Sequence, residues 1–152
     1  EYRNYLRKLF ASDVGQKAVY FNTWGDGLYV VFDDVACAAR FATELVEPTL
    51  VPPIKWEAFG LGKITPFRVG LHKGPVFELE GLFQGRSEFA GQHVNRAARI
   101  EPVTIRGCAY ASEPFAAVLM MEAGDKFAIE SVGEHSLAKD YDRCPLYRLQ
   151  SL

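Results

Sequence analysis

Residues 22–32 read NTWGDGLYVVF, a run of strand-forming residues interrupted near its start by Gly25-Asp26-Gly27. The runs on either side, KAVYFNTW and LYVVF, are rich in β-branched and aromatic side chains, and two such runs around a glycine-flanked acid are typical of a tight hairpin. Glycine on both sides permits positive backbone angles and leaves the Asp26 carboxylate unshielded. The stretch therefore predicts a hairpin with Asp26 at its tip. Asp26 either only favours the turn or also presents its carboxylate to a cation.

Helices and strand pairs alternate along the rest of the chain. Apolar periodicity predicts helices over residues 1–10, 33–46, 92–101 and 113–121. Composition predicts strands over 17–24, 28–32, 67–72, 74–81, 107–112, 126–133 and 145–150. The remaining segments are predicted loops, among them 81–91 and the long, proline-rich 47–66.

Two local signals refine this pattern. Asp33 or Asp34 is expected to cap the helix that follows, because a carboxylate accepts hydrogen bonds from the first free N–H groups of a helix. Lys73-Gly74 lies between two strand runs and predicts a second hairpin. Hairpins alternating with helices make the fold class α+β, with helices on one face of a largely antiparallel sheet. The order resembles a ferredoxin-like βαββαβ sandwich that lacks its first strand and has extra C-terminal strands.

Length, charge and cysteine content narrow the class of protein. A chain of 152 residues is about one domain, so 1–152 is expected to be a single unit. The net charge of −2, without a Lys/Arg-rich run, argues against nucleic acid or an anionic membrane surface as partner. No apolar stretch approaches the roughly 18 residues of a membrane span. Three dispersed cysteines indicate reduced thiols and a cytoplasmic protein.

The segment GQHVNRAAR, residues 91–99, carries candidate functional side chains. Asn95 and Arg99 are four residues apart and share one face of the predicted helix. A guanidinium group donates two parallel hydrogen bonds to an oxyanion, so this face suits a phosphoryl group. The alternative is an exposed helix face on which Arg99 forms a salt bridge, for instance with Glu101.

Weaker signals lie elsewhere in the chain. Lys139 and Arg143 lie in a loop between the last two predicted strands, where they either clamp phosphates or belong to a solvated turn. His72 is expected to be a hydrogen-bonded structural residue. His93 and His135 have no metal-ligand spacing with each other or with cysteine.

Three segments, in this order, resemble the catalytic domain of the class III nucleotidyl cyclases, which make cyclic AMP or cyclic GMP. They are TWGDGLYVVF, FRVGLHKGPVFE and GQHVNRAARIEP. The resemblance extends from about Tyr20 to Leu149 and implies a single cyclase-like catalytic domain. It also implies conversion of a nucleoside triphosphate, ATP or GTP, to a 3′,5′-cyclic nucleotide and pyrophosphate in intracellular signalling.

The resemblance implies roles for individual residues. Asp26 would be one of two aspartates that hold a pair of divalent cations, Mg²⁺ or Mn²⁺, with Gly25 and Gly27 beside the substrate. Asn95 would position the ribose, and Arg99 would stabilise charge on the α-phosphate. Lys139 or Arg143 would bind the outer phosphates. The site would form between two subunits of a head-to-tail homodimer.

Two features depart from the family pattern. Asn22 and Glu88 stand where the family reads the purine base, and they match neither the adenylate nor the guanylate rule, so the base preference is open. The other metal aspartate belongs to a first strand, and Asp13 is too close to Asp26 for the crossover helix that joins them. That strand is therefore expected before Glu1 or not at all, which makes the domain N-terminally incomplete. The alternative function is a degenerate cyclase-like domain that binds a nucleotide or a partner and regulates without catalysis.

Overall fold

A computed structural model of the chain describes residues 1–63, 65–80, 85, 87–140 and 142–152. The helices are α1 Tyr2–Ala11, α2 Val35–Val46, α3 Gln92–Ile100 and α4 Glu113–Ala123. The strands are β1 Ala18–Trp24, β2 Gly27–Phe32, β3 Arg68–Leu71, β4 Phe77–Glu80, β5 Ser87–Ala90, β6 Cys108–Ser112, β7 Phe127–Ser136 and β8 Arg143–Ser151. All four predicted helices and the predicted α+β class are confirmed.

The described strands form three sheets. Four of them have the order β3-β6-β8-β7, in which β3 and β6 are parallel and the other pairs antiparallel. β1 pairs with β2, as the hairpin signal predicts, and β4 pairs with β5. The second hairpin predicted around Lys73-Gly74 is wrong, because β3 pairs with β6 and β4 with β5. Pro75 follows this glycine and has no N–H to donate to a hairpin ladder.

The predicted loop over 81–91 is corrected where the structure describes it. Ser87–Ala90 is strand β5, while Gly81–Gln84 and Arg86 lie outside the described residues. The last predicted loop is also shorter than expected, since β7 continues to Ser136 and β8 begins at Arg143.

Helices cover both faces of the four-stranded sheet, although the pattern predicts only one. α2 and α4 pack on the face that carries Ala109 and Ala111 of β6, in a cluster that also holds Leu71 and Leu149. Tyr110 alternates to the opposite face, where it packs with Ile100 of α3. α3 is therefore separated from α2 and α4 by the sheet.

The start of α2 follows directly from β2. Asp34 is the N-cap: its carboxylate accepts a hydrogen bond of 2.6 Å from the Cys37 backbone N–H. That hydrogen bond lowers the pKa of Asp34. Of the two aspartates proposed as caps, Asp34 is thus the one that caps the helix, and it fixes how the chain leaves the β1–β2 hairpin.

Candidate active site

The tip of the β1–β2 hairpin presents a carboxylate to solvent. Trp24 pairs with Gly27, so Gly25 and Asp26 form the two-residue turn, and Gly25 has the positive φ of 62° that such a turn requires. Asp26 is exposed. Burial, and then the charge of Asp26, raise the pKa of the Tyr2 hydroxyl on α1. The predicted metal ligand therefore lies at an accessible turn close to the start of α1.

Asp26 and Gly27 line an open cavity of about 850 Å³. Its lining includes residues 28–32 of β2, residues 68–71 of β3, and Ala38 and Phe41 of α2. In the described part of the chain, β2 pairs only with β1, and β3 only with β6. Each strand thus has an open edge beside this cavity, which agrees with the expectation that the sandwich lacks one strand.

Asn95 and Arg99 are not among the residues of α3 that line the cavity. Val94, Ala97 and Ala98 of α3 line the cavity, whereas Asn95 is exposed and Arg99 half-buried. The glutamate proposed as a partner for Arg99 is paired elsewhere, since Glu101 Oε1 lies 2.8 Å from Arg68 Nε. Asp26 therefore lines this cavity, and Asn95 and Arg99 do not.

The β7–β8 loop is attached to α3 by an ion pair. Arg96 Nη2 lies 3.1 Å from Asp142 Oδ2, which places the loop of Lys139 beside the helix of Asn95 and Arg99. Lys139 is exposed and has a left-handed φ of 61°, which is uncommon for a non-glycine residue.

Arg143 has a different partner. Its Nε donates a hydrogen bond of 3.1 Å to Glu134 Oε2, and both side chains are well exposed. Sequence reasoning missed Arg96, although a cation between Asn95 and Arg99 was the available signal.

The two residues proposed to read the base, Asn22 and Glu88, are exposed on β1 and β5. Asn22 Oδ1 accepts a hydrogen bond of 2.8 Å from the Thr23 backbone N–H. The two hairpins that carry these residues are in contact. The rings of Tyr20 and Phe89 are 5.4 Å apart, and the Tyr29 hydroxyl donates to the Phe89 carbonyl at 3.4 Å.

A chain of hydrogen bonds connects the end of β3, the start of α3 and the start of α4, through side chains of which His72 and His93 line the cavity. His72 Nδ1 lies 2.6 Å from Ser112 Oγ, and His72 Nε2 lies 2.8 Å from His93 Nδ1. Burial, then the charges of His93 and Arg96, lower the pKa of His72 to about 4. The expectation of a hydrogen-bonded His72 is confirmed, but the sequence did not indicate that His93 is its partner.

The described residues supply part of a binding site for a divalent cation. The part of the chain that the structure describes holds no cluster of three or more His, Cys, Asp or Glu side chains arranged for a metal ion. Asp26 supplies one hard carboxylate, and Mg²⁺ commonly combines one or two carboxylates with phosphate oxygens of the substrate. The donor chemistry thus fits a cation that arrives with a nucleoside triphosphate.

Comparison with known proteins identifies the fold. No family model matches the chain, and no curated protein sequence matches it. Solved structures do match. An adenylate cyclase from Trypanosoma brucei in its monomeric state has a TM-score of 0.74 and 17% identity, over 97% of this chain and 76% of that one.

Two fungal guanylate cyclase domains are also similar. The domain of RhGC from Catenaria anguillulae, in complex with GTP, has a TM-score of 0.68 and 23% identity over 99% of this chain and 84% of that one. A dimeric domain of the RhoGC fusion protein from Blastocladiella emersonii has a TM-score of 0.64 and 20% identity over 98% and 83%.

The chain therefore has the fold of the adenylate and guanylate cyclase catalytic domains. No helix in the described ranges has both the length and the apolar character needed to cross a bilayer.

Proposed function

We propose that this chain is a nucleotidyl cyclase catalytic domain that converts ATP or GTP to a 3′,5′-cyclic nucleotide and pyrophosphate in a head-to-tail homodimer. The observation that carries the proposal is a cyclase-type fold in which the candidate metal ligand and the candidate phosphate-binding residues do not line the same cavity. Asp26 lies at the hairpin tip and lines the cavity, whereas Asn95 and Arg99 do not line it. A second copy in head-to-tail orientation supplies each half with the other.

Each half-site contributes a different kind of chemistry. The Arg99 guanidinium donates to the non-bridging oxygens of the α-phosphate, where negative charge increases during attack by the ribose 3′-oxygen. Asn95 has an amide that both donates and accepts, which suits the ribose ring. Lys139 or Arg143 binds the outer phosphates, and Arg96 holds their loop against α3.

The other half-site holds the cation. Asp26, flanked by Gly25 and Gly27, would bind Mg²⁺ or Mn²⁺ together with oxygens of the triphosphate. Two such ions, when bound, lower the pKa of the 3′-hydroxyl and neutralise the leaving pyrophosphate.

Base recognition falls to Asn22 and Glu88. An amide and a carboxylate can each meet a purine edge, and the contact between the two hairpins keeps their strands together. The Catenaria domain is described in complex with GTP, which supports a purine nucleoside triphosphate as the ligand.

The test is incubation of the purified protein with each of the four nucleoside triphosphates and Mn²⁺ or Mg²⁺, with chromatographic detection of cyclic nucleotide and pyrophosphate. We expect product from ATP or GTP, and loss of it in the Arg99→Ala variant. The matched control is Arg106→Ala, which removes an arginine from the loop after α3. Absence of a cyclic product from all four triphosphates contradicts the proposal.

A second candidate function, regulation without catalysis, is supported by the presence of a single candidate metal-binding carboxylate, Asp26. Because the described residues hold no cluster of three or more side chains that could ligate a metal ion, the domain would then bind a nucleotide and regulate a partner without turnover. Calorimetric titration with an α,β-methylene triphosphate analogue, which cannot release pyrophosphate, together with the product assay on the natural triphosphate, separates the two functions. Binding without product formation favours the regulatory domain, whereas binding with product formation favours the cyclase.

A further inference from the structure

We propose that the hydrogen bond between His72 and His93 positions the first turn of α3, and that His93 is therefore a positioning residue for Asn95. The inference about α3 rests on geometry alone, and its consequence for nucleotide binding rests on the proposed function. His93 is the second residue of α3, and Asn95 follows two residues later.

The pair joins three elements that are distant in sequence. His72 immediately follows β3, His93 lies in the first turn of α3, and Ser112 is the N-cap residue of α4. The 2.6 Å and 2.8 Å contacts use both nitrogens of His72. The two rings are nearly parallel, with an angle of 19° between their planes and 5.1 Å between their centroids. Ser112 makes no side-chain capping bond within α4, so its hydroxyl serves this connection instead.

Gly74 leaves room for the contact between His93 and His72 because it has no side chain. A Cβ atom on Gly74 would lie 2.2 Å from His93 Nδ1. Only a glycine there lets the imidazole reach His72 without displacement. Gly74 does not have a positive φ, so an alanine at this position is excluded by the ring rather than by backbone conformation.

The surroundings favour the uncharged form of His72. The hydrogen bond needs one proton between the two facing nitrogens, and a proton on both would place two N–H groups against each other. Ser112, whose hydroxyl contacts His72, lies at the N-terminus of α4, where the helix dipole disfavours positive charge. Arg96 on α3 and Lys73 after His72 add positive charge nearby, while Asp33 and Asp34 line the same cavity from the β2–α2 turn.

The consequence for α3 can be measured at one amide. The Asn95 N–H donates to the Gly91 carbonyl at 3.2 Å, which is the first hydrogen bond of the helix. If the histidine pair holds this turn, then loss of the pair increases opening at Asn95. Loss of one hydrogen bond accelerates exchange of this amide by about tenfold.

The experiment combines nitrogen NMR and hydrogen exchange on the whole chain at pH 7. The protein has three histidines, so selective ¹⁵N labelling gives three resolvable rings. We expect an N–N scalar coupling across the hydrogen bond between His72 and His93, and slow exchange at Asn95. Absence of the coupling in the unmodified protein overturns the proposal.

Variants separate positioning from folding. His93→Leu and Gly74→Ala are expected to abolish the coupling and to accelerate Asn95 exchange about tenfold. His93→Asn places an amide nitrogen near Nδ1 and is expected to restore slow exchange. His135→Asn, at the remaining histidine, is the matched control and is expected to leave Asn95 unchanged. Equal exchange at Asn95 in His93→Leu and in the control overturns the proposal.

Nucleotide binding tests the consequence separately. With a non-hydrolysable ATP or GTP analogue, His93→Leu is expected to weaken binding about as much as Asn95→Ala does, and His93→Asn is expected to restore it. If Asn95→Ala has no effect on binding, the proposed ribose role fails, while the exchange data still support the positioning of α3. If Asn95→Ala weakens binding and His93→Leu does not, positioning by His93 is contradicted.

Discussion

Gly70 of β3 lies in backbone contact with the C-terminal end of α3: a Cβ atom on it would be 2.6 Å from the Glu101 nitrogen and 2.8 Å from the Ala97 carbonyl oxygen. The Arg68–Glu101 ion pair joins the same strand and helix end from a position two residues earlier in β3, on the same face of the strand. α3 is therefore held at its C-terminal end by Gly70 and near its N-terminal end by His93. The helix that carries Asn95 and Arg99 has little freedom to shift along β3.

Replacement of Gly70 by alanine is expected to lower the free energy of unfolding by about 2–3 kcal/mol, the upper part of the range of about 1–3 kcal/mol typical of overpacking. Both atoms that would collide are backbone atoms, so no side-chain movement relieves the contact. Urea denaturation measures the loss. Gly60→Ala is the control, because Gly60 has open space around it and a φ of 73°, so only the backbone cost of about 1 kcal/mol applies there. Equal losses in the two variants would contradict the packing argument.

Glu44 is expected to stabilise the segment after α2. Its side chain is 1% exposed and accepts hydrogen bonds of 2.8 Å from both the Thr49 and the Leu50 backbone N–H, and Arg40 lies 3.4 Å away. Glu44→Ala removes the acceptor of two partly buried N–H groups and should cost about 2–3 kcal/mol. Glu44→Gln keeps an acceptor oxygen and should cost less than about 1.5 kcal/mol. Thermal denaturation of both variants checks the order, and equal losses would show that the hydrogen bonds are not the cause.

The free energy of unfolding is expected to decrease as the pH is lowered, because of the titration of His72. Its pKa is lowered to about 4 in the folded chain against about 6.5 when unfolded. The unfolded state therefore binds more protons between these values, so stability is complete above about pH 6.5 and is lost as pH falls towards 4. Because the ring is partly accessible to solvent, we expect a loss of about 1–2 kcal/mol rather than the full linkage value.

The difference between the unmodified protein and His72→Gln isolates this effect, because carboxylates such as Asp34 titrate in both. Urea denaturation at pH 7 and at pH 4.5 measures it. A pH dependence that is the same in both proteins would exclude His72 as the source.

Local patterns in the sequence were sufficient for the helices and for the hairpin at Asp26. The turn between Trp24 and Gly27 follows from two glycines, and the buried positions of α3, Val94 and Ile100, follow from helical spacing. Strand pairing was not predictable in the same way. β3 and β6 pair over residues 68–71 and 108–111, which no turn connects, so the adjacent β4 was the natural but incorrect choice.

The same difference between local patterns and long-range contacts applies to the candidate site. The sequence indicates Asp26, Asn95 and Arg99 because each lies in a recognisable short segment, but their assembly into one site stays a prediction. The contacts of His72 with His93 and of Arg96 with Asp142 join residues far apart in the chain. Such contacts depend on how β3, α3 and the β7–β8 loop pack, and no local periodicity contains that information.

The last prediction concerns subunits that share an active site. If Asp26 of one chain acts with Arg99 of its partner, the Asp26→Ala and Arg99→Ala variants are each inactive alone but restore activity when mixed. Random pairing makes half of the dimers mixed, and each mixed dimer has one intact site of two, so we expect about a quarter of the unmodified activity. Asp26 is exposed at a turn, so its replacement should not unfold the protein, and circular dichroism verifies this. A mixture of Asp26→Ala with Asp26→Asn is the matched control and should remain inactive. Activity in the Asp26–Arg99 mixture no greater than in this control would place both residues of a working site in one chain, or show that there is no such site.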